Sequence, residues 1–229
     1  MNTPFAIAID GPSGAGKSTV AKRVAADLDI LYLDTGAMYR AIGVYMLDHS
    51  VDPKDEQAVS DKLDSIDMDI QFRDGTQRTL INGEDLTGRL RENRVSMAAS
   101  DVSRHPAVRR KLWQIQRALA ERESFILDGR DIGTVVLPDA PCKIFLTAPA
   151  EVRARRRLAD LAAAGENVPY EQVLDEMRRR DRQDAERSLA PTKPADDAVV
   201  IDSGTMTLEE TITAISEVIR EKLGDRYDN

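Results

Sequence analysis

The sequence predicts an α/β fold, in which short buried strands alternate with amphipathic helices. Three observations lead to this prediction: short apolar runs recur along the chain, segments of helical periodicity follow them, and an alternating segment near residue 70 interrupts that rhythm. Apolar runs bounded by turn residues are typical of parallel strands covered on both faces, whereas strict alternation is typical of an antiparallel sheet. We therefore expect an α/β domain that carries a small antiparallel insert.

The chain opens with a predicted strand, loop and helix. The apolar run 5–9 predicts a buried strand, which ends at an Asp-Gly-Pro sequence. From Gly16 onwards the pattern becomes helical, because Val20, Val24 and Leu28 recur on one helical face. A second strand and a second helix are predicted over residues 30–33 and 35–49.

The segment 61–96 is predicted as the insert. Residues 68–72 alternate between apolar and polar side chains, and an Asp-Gly pair at 74–75 and an Asn-Gly pair at 82–83 follow. Both dipeptides are typical of tight hairpin turns, which join antiparallel strands. We therefore expect a small antiparallel meander inside this segment.

The second half of the chain returns to the α/β rhythm. The spacing of Val108, Leu112, Ile115 and Leu119 predicts a helix over 106–121. Further strands are predicted over 125–127, 142–146 and 198–201, and further helices over 149–164, 169–187 and 207–223.

Residues 11–18 read Gly-Pro-Ser-Gly-Ala-Gly-Lys-Ser and match the phosphate-loop pattern G-x-x-x-x-G-K-[ST]. Glycines let backbone N–H groups converge on phosphate oxygens, and the helix that follows points its positive end at the same anion. Lys17 is expected to neutralise the terminal phosphates, and Ser18 to bind Mg²⁺. The predicted strand before the motif and helix after it favour nucleoside triphosphate binding over an ordinary glycine-rich turn.

The loop does not identify the group that receives the phosphoryl. A GTPase would carry an N/T-K-x-D motif for guanine, and a motor or transporter ATPase would carry a strand that ends in Asp-Glu. Neither pattern is found in the sequence. A second set of anion-binding residues would therefore have to indicate the acceptor.

Arginine dominates the basic residues. The chain has 32 Lys and Arg against 40 Asp and Glu, and the resulting net charge of −8 argues against a nucleic-acid or membrane partner. Of the 32 cations, 24 are Arg, and residues 153–187 contain nine Arg and no Lys. Arg presents a planar fork that matches phosphate bidentately. The Arg cluster therefore favours a polyanionic ligand, although a genome that prefers Arg codons explains the ratio equally well.

Several classes of protein are disfavoured by composition. A single cysteine, Cys142, cannot form an internal disulfide, and with two histidines it leaves too few ligands for a zinc site. No apolar run approaches the ~18 residues of a membrane helix, and the first residues lack the charged region of a signal peptide. We expect a cytoplasmic enzyme or nucleotide-dependent switch.

Two other segments carry candidate anion-binding residues. Residues 33–40, Leu-Asp-Thr-Gly-Ala-Met-Tyr-Arg, end a predicted strand and open a helix, which Thr35 could cap. Residues 127–131, Leu-Asp-Gly-Arg-Asp, end another strand, and ligands of α/β sheets bind beyond the carboxyl ends of strands. A capped helix with a solvated Arg, and a surface turn of mixed charge, remain the alternatives for these two segments.

These segments together resemble the bacterial cytidylate kinases, a family of P-loop nucleoside monophosphate kinases. The resemblance rests on IDGPSGAGKST (9–19), LDTGAMYR (33–40), AAS (98–100), DGRDIGTVVLPDAPCKIFL (128–146) and RRRDRQDAERSLAP (178–191). It implies a P-loop kinase CORE with a five-stranded parallel sheet flanked by helices, formed by residues 1–60 and 97–229. It also implies a short Arg-rich LID at about 153–170 and an NMP-binding region enlarged by the insert at 61–96.

The resemblance implies roles for individual residues. The ATP-binding residues would be Gly11, Pro12, Ser13, Gly14, Ala15, Gly16, Lys17, Ser18, Thr19 and, from the LID, Arg157. The CMP-binding residues would be Thr35, Tyr39, Arg40, Ser100, Arg109, Arg130, Asp131, Arg180, Asp184 and Arg187. The groups that stabilise the transferring phosphoryl would be Lys17, Arg130, Arg180 and Arg187, and Ser18 would bind the metal.

The spacing of Arg180, Asp184 and Arg187 adds an observation from the residues themselves. Positions i, i+4 and i+7 share one face of a helix, so the predicted helix 169–187 would present all three together. Pairing of the kind that merely stabilises a helix is the alternative.

The family resemblance implies transfer of the γ-phosphoryl of ATP to CMP or dCMP, with Mg²⁺ bound alongside ATP. It further implies a cytoplasmic enzyme that is usually a monomer, while the net charge argues against a nucleic-acid or membrane partner. The attacking phosphate oxygen is already anionic at neutral pH, so no catalytic base is expected. The alternatives are a P-loop kinase for UMP or a hydroxylated metabolite, and a nucleotide-dependent switch.

Overall fold

The computed structural model describes residues 4–90, 92–163 and 165–224. In chain order the elements are β1 (Ala6–Asp10), α1 (Lys17–Asp27), β2 (Leu31–Asp34), α2 (Thr35–Asp48), α3 (Glu56–Leu63), β3 (Met68–Arg73), β4 (Thr76–Ile81), β5 (Glu84–Asp85), α4 (Asn93–Val102), α5 (Pro106–Ala120), β6 (Phe125–Gly129), β7 (Cys142–Thr147), α6 (Ala150–Ala163), α7 (Tyr170–Ala185), β8 (Val199–Asp202) and α8 (Leu208–Leu223). A 3₁₀ turn covers Thr87–Arg89, and a π-helical turn covers Ile132–Val136. Along the described part of the chain, no helix has the length and apolarity needed to cross a membrane.

A five-stranded sheet forms the centre of the α/β architecture, with the strand order β2-β6-β1-β7-β8. Strand β1 pairs in parallel with both β6 and β7, and β7 pairs in parallel with β8. Every residue of β1 and β6 is buried, because helices cover parallel strands on both faces. The predicted five-stranded parallel sheet flanked by helices is confirmed.

The chain divides into two compact units. One unit, the P-loop unit, comprises residues 1–30 and 124–229, and the other, the middle unit, comprises residues 31–123. Within the P-loop unit, α6 and α7 pack on each other through a small apolar cluster that includes Leu161, Val173 and Met177. This packing holds the Arg-rich part of the chain in two adjacent helices.

The middle unit contains the antiparallel sheet, in the order β3-β4-β5. Both turns have the predicted dipeptides in the left-handed region, with φ of 52° and 69° at Asp74 and Gly75 and 52° and 83° at Asn82 and Gly83. Positive φ at both central residues defines the type I′ turn, whose twist matches that of the strands. The predicted meander is confirmed, while the domain boundaries at 60/61 and 96/97 stay predictions.

The structure contains two helices that the sequence analysis did not predict, and one predicted helix ends earlier than expected. Helices α3 and α4 were not predicted, since each is short and α3 buries only Val59 and Leu63. The predicted helix 169–187 ends at Ala185, so Arg187 lies beyond it. The chain turns back there, because Ala190 has a φ of 54° and the Thr192 N–H donates to the carbonyl of Asp184 at 2.8 Å. The expectation that Arg187 shares a helical face was therefore wrong.

The end of β1 lies against β7 with no room for a side chain. Gly11 has a φ of +142°, and a Cβ atom there would lie 1.9 Å from the carbonyl oxygen of Leu146. The left-handed backbone and the close approach both require glycine at this position. The loop after β1 is consequently anchored to the sheet at its first residue.

We expect Gly11→Ala to lower the free energy of unfolding by more than about 2 kcal/mol, because it adds a backbone clash to the strain of a positive φ. Gly165→Ala is the matched control, since Gly165 has a φ of +80° but nothing within 4 Å of a Cβ. The control should cost about 1 kcal/mol. Denaturant unfolding without nucleotide measures both, and equal losses would mean that the loop can move away from β7.

Candidate active site

The loop between β1 and α1 adopts a conformation suited to an anion. Gly14 and Gly16 have φ of 77° and 93°, and Gly16 is the N-cap of α1. No side chain caps the first turn of α1, and that turn has no acidic residue. The unpaired N–H groups and positive end of a helix attract a negatively charged ligand. The local structure therefore agrees with the phosphate loop that the motif predicts.

Lys17 lies in this loop with only 4% of its surface exposed. Its Nζ donates a hydrogen bond to the carbonyl of Pro12 at 2.8 Å. Burial, together with the nearby guanidinium of Arg130, lowers the pKa of Lys17 to about 7, although Asp128 and Asp10 act in the opposite direction. A bound polyanion would favour the protonated ammonium, so this lysine is poised to gain from phosphate binding.

Ser18 and Asp128 form a pair of oxygen ligands beside the lysine. The Ser18 hydroxyl donates to the Asp128 carboxylate at 2.8 Å, although the two residues are 110 positions apart in sequence. Mg²⁺ prefers such hard oxygen donors, and it is commonly held by one or two protein groups together with waters and substrate phosphates. In the described ranges no group of three or more His, Cys, Asp or Glu could hold a metal on its own. Ser18 and Asp128 therefore fit a Mg²⁺ ion that arrives with nucleotide phosphates.

Asp10, the last residue of β1, organises the segment after β6. Its carboxylate accepts hydrogen bonds from the N–H groups of Ile132 at 2.9 Å and Gly133 at 2.7 Å. Burial raises the pKa of Asp10 to about 6 despite these two donors. By anchoring the start of the π-helical turn, Asp10 fixes the backbone directly after Arg130 and Asp131.

Asp184 gathers two of the predicted phosphate-binding arginines. Its carboxylate lies 3.1 Å from Nε of Arg130 and 3.0 Å from Nη2 of Arg187. Burial works against ionisation, but Arg130, Arg187 and Arg180 together hold the pKa of Asp184 below its usual value. Arg130 and Arg180 also act on the pKa of Lys17. Asp184 thus interacts with the three arginines predicted to stabilise the phosphoryl group, and two of them, Arg130 and Arg180, also act on Lys17.

Arg153 ties both Arg-rich helices to the phosphate loop. Its guanidinium donates to both carboxylate oxygens of Asp181 on α7, at 3.0 and 2.6 Å, and to the carbonyl of Ser13 at 3.0 Å. The residue is buried, so these bonds replace the hydration of the charge. Arg153, which lies on α6, therefore helps to hold the phosphate loop in position.

A cavity of about 250 Å³ lies beside the start of α1. It is lined by Ala15, Gly16, Thr19, Val20, Arg156, Ser203, Met206, Thr207, Leu208 and Thr211. Arg156 donates to the carbonyls of Ala15 and Ser203, at 3.3 and 2.7 Å. Arg156, rather than Arg157, lines this cavity, and the assignment of Arg157 to ATP stays a prediction.

In the middle unit, the predicted acceptor residues of α2 are held by Asp34. Asp34, not Thr35, is the N-cap of this helix, because its carboxylate accepts from the Ala37 N–H at 2.8 Å. The expectation that Thr35 caps the helix was wrong. The other oxygen of Asp34 binds Nη2 of Arg40 at 2.7 Å, so the N-cap also sets the direction of that guanidinium.

The remaining acceptor residues lie on three further segments. Ser100 is on α4 and Arg109 on α5, both in the middle unit, whereas Asp131 is buried in the P-loop unit. The Arg109 guanidinium lies over the rings of Tyr39 and Trp113, with its Cζ 5.7 and 5.5 Å from their centroids. Tyr39 and Arg109 are therefore brought together within the middle unit.

Sequence reasoning missed four residues that shape the site: Asp10, Asp128, Arg153 and Asp34. Asp10, Asp128 and Asp34 share one available signal, since each is the carboxylate at or next to the end of a predicted strand. Arg153 had no such signal. Its partners are a carbonyl and a carboxylate that only the packing of α6 and α7 brings near.

The fold places the chain in a broad class. A gluconokinase from Sinorhizobium meliloti is 13% identical in sequence, and its structure aligns with a TM-score of 0.50 over 100% of this chain and 99% of that one. At this identity the similarity shows the fold alone. Together with the loop around Lys17, it defines the chain as a P-loop kinase in architecture.

The sequence comparisons are more specific. A family profile described as Cytidylate kinase matches residues 7–221. The chain is 48% identical over 219 residues to the cytidylate kinase of Caldicellulosiruptor saccharolyticus, covering 96% of this chain and 97% of that protein. It is 46% identical over 224 residues to that of Geobacillus kaustophilus, covering 98% and 100%. The chain belongs to the cytidylate kinase family, and it is an enzyme of the nucleoside monophosphate kinase class.

The burial of Lys17 should make the free energy of unfolding depend on pH. Its native pKa lies below the unfolded value, so the unfolded chain binds more protons between about pH 7 and 10 and stability rises with pH in that window. We expect Lys17→Met to be more stable than the wild type below pH 7 by on the order of 3 kcal/mol, and the gap to close towards pH 10.

Nucleotide-free unfolding in denaturant at pH 7, 8, 9 and 10 measures this gap. Lys22→Met is the control for replacing a lysine of α1 with methionine, because Lys22 is an exposed residue of the same helix. A constant difference between Lys17→Met and the wild type would contradict the lowered pKa.

Proposed function

We propose that the enzyme transfers the γ-phosphoryl of ATP to CMP or dCMP, giving ADP and CDP or dCDP. The observation that carries the proposal is the cluster in which Asp184 holds Arg130 and Arg187, together with the electrostatic effect of Arg130 on Lys17. A second set of phosphate-binding groups beside a phosphate loop is what direct transfer between two nucleotides requires. Cytidylate is the acceptor in the names of the relatives, which supports CMP as the acceptor here.

The donor half of the proposal assigns ATP to the loop and its cavity. The backbone of residues 11–16, Lys17 and Ser18 would hold the phosphates, and the cavity beside Gly16 would receive the base. Ser18 and Asp128 would hold Mg²⁺, which when bound neutralises charge on the phosphates. Arg156 would border the donor base, and Arg157 remains a candidate contact of the same ligand.

The acceptor half assigns two groups of residues to CMP. Its phosphate would be bound by Arg40 of the middle unit and by three arginines of the P-loop unit, which are Arg130, Arg180 and Arg187. Ser100, Arg109 and Asp131 would read the edge of the cytosine. Thr35 and Tyr39 would complete the binding of the monophosphate, and Asp184 would orient the arginines and accept from the ribose.

The reaction needs no catalytic base in this proposal. The attacking oxygen of the acceptor is anionic, so the chain has to align two polyanions and stabilise charge on the transferring group. Lys17 and the arginines gathered by Asp184 supply that stabilisation. The two histidines are engaged elsewhere, His49 stacked on Tyr45 and His105 bonded through Nε2 to the carbonyl of Pro53 at 2.8 Å.

Three assignments of the sequence analysis remain proposals alongside this function. They are a CORE of residues 1–60 and 97–229 with a LID at about 153–170, a monomeric state, and a cytoplasmic location without nucleic-acid partners. Analytical ultracentrifugation with and without substrates would test the monomer directly.

An acceptor screen tests the proposal itself. We expect ATP consumption only when an acceptor is present, with CMP and dCMP preferred, UMP weaker, and AMP and GMP disfavoured most. A polar contact left unpaired costs about 1–3 kcal/mol, which corresponds to roughly 5- to 150-fold in kcat/KM. ATP hydrolysis without acceptor would indicate a switch, and a preference for UMP or a hydroxylated metabolite would indicate another kinase.

Asp184→Asn tests the arginine cluster. The amide keeps the shape of the side chain but removes the charge that holds Arg130 and Arg187, so kcat/KM for CMP should fall at least about 100-fold, or about 2.7 kcal/mol. Glu151→Gln is the control, because Glu151 on α6 forms an exposed 2.6 Å ion pair with Arg178 on α7, the helix that also carries Asp184. The control should keep wild-type kinetics, as should Asp184→Asn if its ion pairs only support the helix end.

A further inference from the structure

Arg109 is a guanidinium enclosed by aromatic rings. It is 1% exposed, and its Cζ lies 5.5 Å from the ring centroid of Trp113 and 5.7 Å from that of Tyr39. Both distances fall within the ~6 Å range of a cation–π interaction. Its Nη1 also donates to the carbonyl of Ser103 at 3.1 Å. The charge is therefore held from several directions inside the middle unit.

Arg109 and Trp113 meet because of their spacing on α5. They stand at i and i+4, which places them on the same helical face. Trp113 is itself 8% exposed, so its ring is held by packing and offers a rigid surface to the guanidinium. Tyr39 reaches the same guanidinium from α2.

An aromatic ring attracts the charge of a guanidinium through the face of the ring. Contact with a rigid ring therefore restricts the direction in which the guanidinium points, and Arg binds planar partners bidentately. An amide-like nucleobase edge is a partner of that kind.

We propose that Trp113 is a positioning residue for the acceptor base, acting through Arg109. Trp113 fixes the guanidinium so that Arg109 meets the pyrimidine in one orientation, and it makes no contact with the substrate itself. This inference rests on the proposed function, in which Arg109 reads the acceptor base. The alternative is that Trp113 only fills the core of the middle unit.

A double-mutant cycle separates these two roles. Trp113→Leu should raise KM for CMP about tenfold and leave kcat within twofold, while Trp113→Phe, which keeps a ring, should retain most of the affinity. In an Arg109→Met background, Trp113→Leu should change KM no further. Leu112→Val is the packing control, because Leu112 is a fully buried neighbour on α5 and should lower the melting temperature without changing KM.

The outcomes distinguish failure of the inference from failure of the proposed function. If Arg109→Met raises KM for CMP but Trp113→Leu does not, or if Trp113→Leu acts equally in both backgrounds, the positioning role is overturned and the function stands. If Arg109→Met leaves KM for CMP unchanged, Arg109 does not read the acceptor base, and the assignment in the proposed function fails together with the inference.

Fluorescence supplies a readout that does not depend on activity. Trp113 is the single tryptophan of the chain, so its emission reports on Arg109 directly. Arg109→Met should shift the emission of the substrate-free enzyme, whereas Arg110→Met, at an exposed neighbouring position, should not. Identical spectra for the two variants would overturn the contact on which the inference depends.

Discussion

Burial of positive charge beside the carboxyl ends of two parallel strands is the constraint on which this structure depends. Lys17 is almost completely enclosed, and its pKa is lowered to about 7 by burial and by Arg130. Asp10 ends β1 and Asp128 lies near the end of β6, and both favour the charged lysine. Without a ligand, the positive charge of this site is only partly neutralised by the two carboxylates, which lowers the stability of the free protein. A bound polyanion neutralises the remaining charge, so the buried cation supplies binding energy for nucleotide phosphates.

The carboxylates of the site act as organisers of cations and backbone. Asp184 holds Arg130 and Arg187, Asp181 holds Arg153, and Asp34 holds Arg40 while it caps α2. An ionised carboxylate is an acceptor only, with room for several donors, so each one can fix more than one group. This arrangement suits the proposed reaction, in which the nucleophile is already ionised and alignment of charges is the main requirement.

Local patterns in the sequence account for much of the fold. Helical periodicity located α1, α2, α5 and α8 to within a few residues, and the Asp-Gly and Asn-Gly pairs located the two type I′ turns of the meander. The errors occurred where local signals are weak. Helix α7 ends before Arg187 because the chain turns back to bond Thr192 to Asp184, and Asp34 replaces Thr35 as the N-cap because its carboxylate reaches the Ala37 N–H.

The sequence by itself determined the phosphate loop, the α/β class and, through 48% identity to a relative over most of the chain, the family. Each of these depends on residues close together in the chain or on motifs at fixed positions. The tertiary structure alone decided that Ser18 meets Asp128, that Arg153 joins Asp181 to the loop, and that Arg156 lines the cavity. These partners are far apart in sequence, and they meet because β6 lies beside β1 in the sheet and α6 packs against α7. Strand order and helix packing are set by the whole core, which is why local periodicity does not predict them.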